Sequence, residues 1–239
     1  MPDSRRHRGK APKDALLFGD EARLALTCAG RDLAWLLGRA YPIDASLKLV
    51  GDRYGLVQRQ RKALLRAACE PERATARIAR RVSIEQAAGA ELWIDGFNVL
   101  TTIEVALAGG VVLFTRDGCA RDIAGVHGSY RRVDETLPAL ELLGECLARW
   151  EIASSRWLLD RPVSNSGRLC TAMRELAAER GYRWIVELVA DPDPLLSATE
   201  ELVATADGVI LDASAAWLSL AREVIERSLP DSFVVDLGD

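Results

Sequence analysis

The chain has 239 residues, 49% of them hydrophobic and 28% charged, with 31 Lys and Arg against 35 Asp and Glu. That length allows one large domain or two smaller ones with a substantial core, and the composition is that of a soluble globular protein. No run of about eighteen apolar residues occurs, which excludes a membrane-spanning helix. Met1 to Lys13 is basic and polar and lacks the apolar centre of a signal peptide. The five cysteines (Cys28, Cys69, Cys119, Cys146, Cys170) show no CxxC spacing, which argues against a thiolate zinc site and suits a reducing, cytoplasmic setting. Two histidines, His7 and His127, leave little material for a histidine metal site.

The net charge of -4 hides a split: residues 1–82 hold about 18 Lys and Arg against 9 Asp and Glu, and the remainder about 13 against 26. A basic front suits a polyanion and an acidic back half suits a cation, although a basic module docked on an acidic one would show the same split.

In chain order, residues 1–14 read as a disordered basic tail. Residues 15–72 read as a small helical basic module. Its first helix runs from Asp20 to Gly38 with an apolar stripe, a short one covers Ala45 to Val50, and a third covers Leu56 to Cys69. On that third helix Arg59, Lys62 and Arg66 recur at spacings of three and four. The expectation is a phosphate-contacting face, with a solvated face as the alternative. Residues 73–89 read as a basic, alanine-rich and partly helical connector after Pro71.

From residue 90 to 239 apolar runs alternate with helical ones. Strands are expected at Leu92–Ile94, Val111–Thr115, Arg156–Leu159, Trp184–Val189, Val209–Leu211 and Phe233–Val235. Helices are expected at Val99–Leu107, Asp134–Trp150, Gly167–Arg180 and Ala213–Arg227. The pattern predicts an α/β domain: a mostly parallel sheet with helices on both faces.

Acids recur at the ends of these strands: Asp95, Asp117, Asp160, Asp191, Asp193 and Asp212 follow strands, and Asp207 precedes Val209–Leu211. On a parallel sheet many would share one edge, where their mutual repulsion favours a bound cation. Oxygen ligands suit Mg²⁺ or Mn²⁺. Asp95, Asp160 and Asp207 are the leading candidates, catalytic and metal-holding together, with Asp117 and Glu104 as further candidate ligands. Asp191 and Asp193, flanked by Pro192 and Pro194, read as turn formers, and helix capping is the competing role for the others, including Asp95 and Asn98. The loop Arg161 to Arg168 offers Ser164, Asn165, Ser166 and Arg168 to an anion at a helix N-terminus. The long loop 116–132 adds Arg121, and His127 and Cys119 as weaker base and nucleophile candidates.

Two layers of resemblance follow from these motifs. Leu49 to Tyr54 with Arg59 to Cys69 resembles the domain-of-unknown-function family numbered 434. Ile94 to Leu100, Arg116 to Cys119, Asp160 to Arg168 and Thr205 to Asp207 resemble the family numbered 5616. More remotely, Asp95-Gly96-Phe97-Asn98-Val99-Leu100 is similar to the opening of PIN-like and NYN nuclease domains. Asp95 and Asn98 match their opening acid and asparagine, and Asp207 resembles their late Thr-x-Asp acid. Asp160 is the candidate for the middle acid; no motif fixes the helix-borne one, for which Glu104 is the candidate. That resemblance implies Mg²⁺- or Mn²⁺-dependent phosphodiester hydrolysis of RNA. The expectation is a nuclease-like enzyme with nucleic acid as its partner, the possibility of a homo-oligomer left open, and no membrane association. A non-catalytic nucleic-acid-binding or regulatory protein, and a small-molecule phosphate enzyme using Ser164 to Arg168, are the alternatives.

Overall fold

A computed structural model describes residues 6–124 and 130–238. In chain order the elements are α1 (Asp14–Phe18), α2 (Asp20–Leu37), α3 (Ile43–Arg53), α4 (Gln58–Ala67), α5 (Pro71–Arg80), α6 (Ile84–Ala87), β1 (Glu91–Asp95), α7 (Gly96–Leu107), β2 (Val112–Thr115) and β3 (Ala120–Asp122). They continue with α8 (Thr136–Arg149), β4 (Ser154–Asp160), α9 (Ser166–Arg180), β5 (Trp184–Val189), α10 (Pro192–Ala198), β6 (Leu202–Ala204), α11 (Gly208–Ala213), β7 (Trp217–Leu218), α12 (Leu220–Ser228) and β8 (Val234–Leu237).

The main sheet has five strands in the order β5-β4-β1-β6-β7, every pair parallel. Alternation along each strand divides its side chains between two covered faces. Leu92, Ile94, Trp157, Leu159 and Ala204 share one core with Leu100 and Ile103 of α7, Leu143 of α8, Met173 of α9 and Val224 of α12. Trp93, Leu158 and Val203 point the other way, against Leu196 of α10 and Ile210 of α11. The expected α/β architecture with helices on both faces is therefore present. Each fully buried aliphatic side chain in these layers contributes roughly 1.5–3 kcal/mol.

Val111 to Thr115 does form a strand, but not in the main sheet. β2 sits in a separate three-stranded sheet, antiparallel to β3 and parallel to β8. One face of this sheet (Val112, Phe114) joins the main core. The other (Leu113, Val235, Leu237) packs with Leu26, Leu33 and Leu37 of α2 and Ala63 and Leu64 of α4. The helical module expected at residues 15–72 is helical, and it shares its core with the α/β part.

Three other expectations change. The described part of the N-terminal tail is held in place: Arg8 pairs with Glu104 and donates to Arg131 O at 2.6 Å, and Gly9 O accepts from Arg59 Nη2 at 2.8 Å. The connector at 73–89 is built into the fold, because α5 sends Arg77 inward and Val82 N–H bonds Trp217 O at 2.9 Å beside β7. Val209–Leu211, expected as a strand, lies in α11, and the strand at that point is β6. Asp207 accepts from the Val209 and Ile210 N–H groups, which starts a helix where the apolar run alone suits either structure. Among the described residues no helix is long and apolar enough to cross a membrane.

Candidate functional site

Because all strands of the main sheet are parallel, their carboxyl ends lie along one edge. From β1 the chain builds outward to β4 and β5 on one side, then to β6 and β7 on the other, so the strand order reverses beside β1. Such a switch point leaves a crevice at the strand ends, where open α/β sheets bind ligands. Asp95 ends β1, Asp160 ends β4, and Asp207 follows β6. The turn from β1 into α7 is tight: a Cβ on Gly96 would lie 2.8 Å from Leu158 O and 2.5 Å from Leu159 Cδ2, so glycine alone lets this helix start against β4.

Asp95 occupies the N-cap position of α7 but makes no capping bond. Its Oδ2 accepts instead from Thr205 Oγ1 at 2.8 Å, and Thr205 Oγ1 accepts from Asp207 N–H at 3.0 Å. Asn98 Oδ1 accepts from Ala206 N–H at 2.9 Å. Asp95, Asn98 and the Thr205-Ala206-Asp207 turn thus form one hydrogen-bonded unit across the switch point. Asp207 does cap, through Oδ1, to Val209 N–H at 2.8 Å and Ile210 N–H at 3.4 Å.

Asp95 is 8% exposed. Burial first, then the like charges of Asp193, Asp207 and Asp160, push its carboxyl up to about 7, against the opposing bond from Thr205. Burial and then Asp191 raise Asp160, and burial followed by Asp207, Asp191 and Asp160 raises Asp193. Asp193 therefore belongs to the acid edge, although its prolines mark a turn. It stands in the first turn of α10, the helix that follows β5. Its position after a fourth strand was the available sequence signal.

Among the described residues no three or more His, Cys, Asp or Glu side chains stand close enough together to hold a metal ion. The donor chemistry does not fit an all-protein cage. A hard dication at this edge would be held by one or two carboxylates and would keep water in its remaining positions.

Several expected site residues are used elsewhere. Glu104 is fully buried on α7, paired with Arg8 and accepting from Tyr130 Oη and Thr136 Oγ1, each at 2.6 Å. Burial raises its carboxyl and Arg8 opposes that. It has no place among the edge acids. Asp117 belongs to the small sheet, gripped by Arg121 (2.7 Å from each Nη) and by Arg77 Nη1 at 2.7 Å. Against the effect of burial, these arginines and Thr115 hold it well below the usual carboxylate range, an anion already neutralised rather than a free metal ligand. Arg121 is consumed by the same contacts and by Nε donation to Ala206 O at 3.0 Å, so it is not an open phosphate site.

The basic face of α4 is likewise turned inward. Arg59 forms a two-pronged pair with Asp14 at 2.6 and 2.9 Å, Lys62 Nζ donates to Ala124 O at 3.3 Å, and Arg66 Nε donates to Asp122 O at 3.1 Å. These three residues dock the module, and the expectation of a free nucleic-acid face on them is corrected accordingly. In the loop after β4, Asn165 (φ 68°) donates from Nδ2 to Tyr130 O at 2.9 Å, and the buried Ser166 hydroxyl donates to Arg161 O at 3.2 Å. Ser164 and Arg168 remain exposed at the start of α9. Cys119 is buried, its thiol pushed up to about 12 by that burial, so it is no nucleophile at neutral pH. His127 lies outside the described residues.

Comparison with known proteins adds family membership. A family model described as a domain of unknown function (DUF5616) matches residues 84–223, and one described as a protein of unknown function (DUF434) matches residues 25–80. The uncharacterized protein MJ0935 of Methanocaldococcus jannaschii is 29% identical over 188 residues, covering 79% of this chain and 89% of that protein. No solved structure gives a significant match.

Proposed function

From the premise that the chain belongs to the DUF5616 family, with a DUF434 segment in front, we propose that it is a divalent-metal-dependent phosphodiesterase of the nuclease type, acting on RNA or another nucleic acid in the cytoplasm. The observation that carries the proposal is Asp95: a buried acid at the sheet's switch point, without a capping bond, in the field of Asp160, Asp193 and Asp207. Repelling carboxylates in a crevice are costly unless a cation relieves them. The resemblance of Asp95-Gly96-Phe97-Asn98 to PIN-like and NYN openings supports the same reading.

Asp95 and Asp207 would hold Mg²⁺ or Mn²⁺, with Asp160 and Asp193 at the rim. When bound, such an ion polarises a phosphoryl oxygen and promotes ionisation of water. Thr205 and Asn98 keep Asp95 and the Asp207 turn in register. Ser164 and Arg168, exposed at the start of α9, would contact a phosphate of the substrate. A 5′-labelled single-stranded oligoribonucleotide tests the proposal: Mn²⁺-dependent cleavage is expected, falling by about a hundredfold or more in Asp95→Asn. Cleavage that ignores both EDTA and the substitution would overturn it.

The lack of a three-ligand group among the described residues favours a second reading, a nucleic-acid-binding protein without catalysis. That reading predicts salt-sensitive binding indifferent to EDTA and to Asp95→Asn.

A further inference from the structure

Asp207 sits in a short turn whose flanking peptides are held from beneath by two buried arginines. The carbonyl before it, Ala206 O, accepts from Arg121 Nε at 3.0 Å. The carbonyl after it, Gly208 O, accepts from Arg77 Nη2 at 3.0 Å. Both guanidiniums close on Asp117, which is itself fully buried, and Arg77 Nε continues to Asp212 Oδ1 at 2.7 Å on the same helix that Asp207 caps. Arg121 also donates to Thr115 Oγ1 at 2.6 Å, so the base of this network is fixed to β2.

We infer that Arg77 and Arg121 are positioning residues for Asp207, and that the N-terminal segment completes the acid edge by supplying Arg77. Arg77 comes from α5, within the part of the chain matched to DUF434, whereas Arg121, Asp117 and Asp207 lie within the DUF5616 match. A guanidinium suits this task because its planar fork donates in several fixed directions, so one side chain ties the turn, the cap helix and Asp117 together. A lysine ammonium is a point charge on a flexible stem and cannot span the same three acceptors in that geometry. Simple docking of α5 is separately provided for: Arg80 Nη1 donates to Asp212 O at 3.0 Å and Ser214 O at 2.7 Å, at the far end of α11. Space is also reserved for the fork, since a Cβ on Gly208 would come within 2.9 Å of Arg77 Nη2.

The test compares Arg77→Lys with Arg80→Ala, both of which weaken the α5–α11 contact, by hydrogen exchange and by Mn²⁺ titration of the full chain. In Arg77→Lys the Val209 and Ile210 amides, capped by Asp207, should exchange about tenfold faster, with no such change in Arg80→Ala. Mn²⁺ affinity should drop about tenfold in Arg77→Lys, and this loss should vanish in an Asp207→Asn background, where a merely structural effect would persist. Gly208→Ala, which displaces the fork by one methyl group, carries the same expectation if Arg77→Lys fails to fold. Unchanged amide exchange in the folded variants, or equal changes in Arg77→Lys and Arg80→Ala, would overturn the inference. The Mn²⁺ arm rests on the proposed function and the exchange arm does not. No Mn²⁺ binding by wild type, with faster exchange in Arg77→Lys, therefore defeats the proposed function and upholds the positioning role.

Discussion

Asp95→Asn should stabilise the protein increasingly as pH rises from about 4 to 7, with a constant advantage above that. Burial and the neighbouring carboxylates raise Asp95 from its ordinary 3.8 to about 7. Between those values the folded protein keeps a proton that the unfolded chain releases, so stability falls as pH rises across that window and levels off above it. A shift of that size corresponds to roughly 4 kcal/mol, an upper bound that water entry and side-chain relaxation reduce. Asparagine has the shape of the protonated acid and can still accept the Thr205 hydroxyl, so it escapes the penalty without losing the bond. For a chain of this size the difference amounts to roughly 8–16 °C in Tm at most. Thermal melts of both proteins at pH 4.5, 6, 7 and 8, without divalent metal, give the curve directly. A difference in favour of Asp95→Asn that is smallest at pH 4.5, about a quarter of its full size, and grows towards pH 8 is expected. A difference independent of pH, or wild type the more stable at pH 8, would refute the reasoning.

Three further outcomes follow from the packing. Gly96→Ala should cost about 1–3 kcal/mol, because the added methyl meets a main-chain oxygen that cannot swing aside, and a unchanged urea midpoint would contradict that. Asp117→Asn should cost about 3–5 kcal/mol at pH 7, since two buried guanidiniums lose their common counter-charge. Its native carboxyl is held low, so the stability it contributes is present above the ordinary value of 3.8 and lost as pH falls through the folded value; the deficit of the variant should shrink in acid. Lys62→Gln with Arg66→Gln should lower Tm while leaving the salt dependence of oligoribonucleotide binding unchanged, whereas phosphate-contacting residues would each reduce that slope by about one.

Much of the sheet was legible because strands buried on both faces leave apolar runs between helical stretches, and the acids at their ends sit at fixed offsets. Asp95 and Asp160 could be placed from that pattern alone. Asp207 does stand at this edge, but the apolar run after it reads as a strand, whereas Asp207 caps α11 after β6. A three-residue apolar run such as Val209–Leu211 carries no usable period, so the cap decided between helix and strand. What escaped the sequence was long-range pairing. Nothing local to Arg59, Lys62 and Arg66 announces Asp14 or the carbonyls of 122 and 124 as their partners, and a helical spacing of basic residues looks the same on a docking face as on a free one. Glu104 and Asp117 read as free ligands for the same reason, although each is satisfied by an arginine distant in sequence, Arg8 and Arg77. Pro192 and Pro194 make Asp193 read as a turn residue, yet a helix can begin with proline in its first turn, as α10 does.

On the proposed function, the carboxylates at the switch point would hold a divalent cation. Calorimetric titration of Mn²⁺ into the metal-free protein, run in parallel on Asp95→Asn at the same pH, tests it most directly. Saturable binding by wild type that is lost or weakened about a hundredfold in the variant is the predicted result. Negligible binding in both proteins, or the same affinity in both, would contradict it.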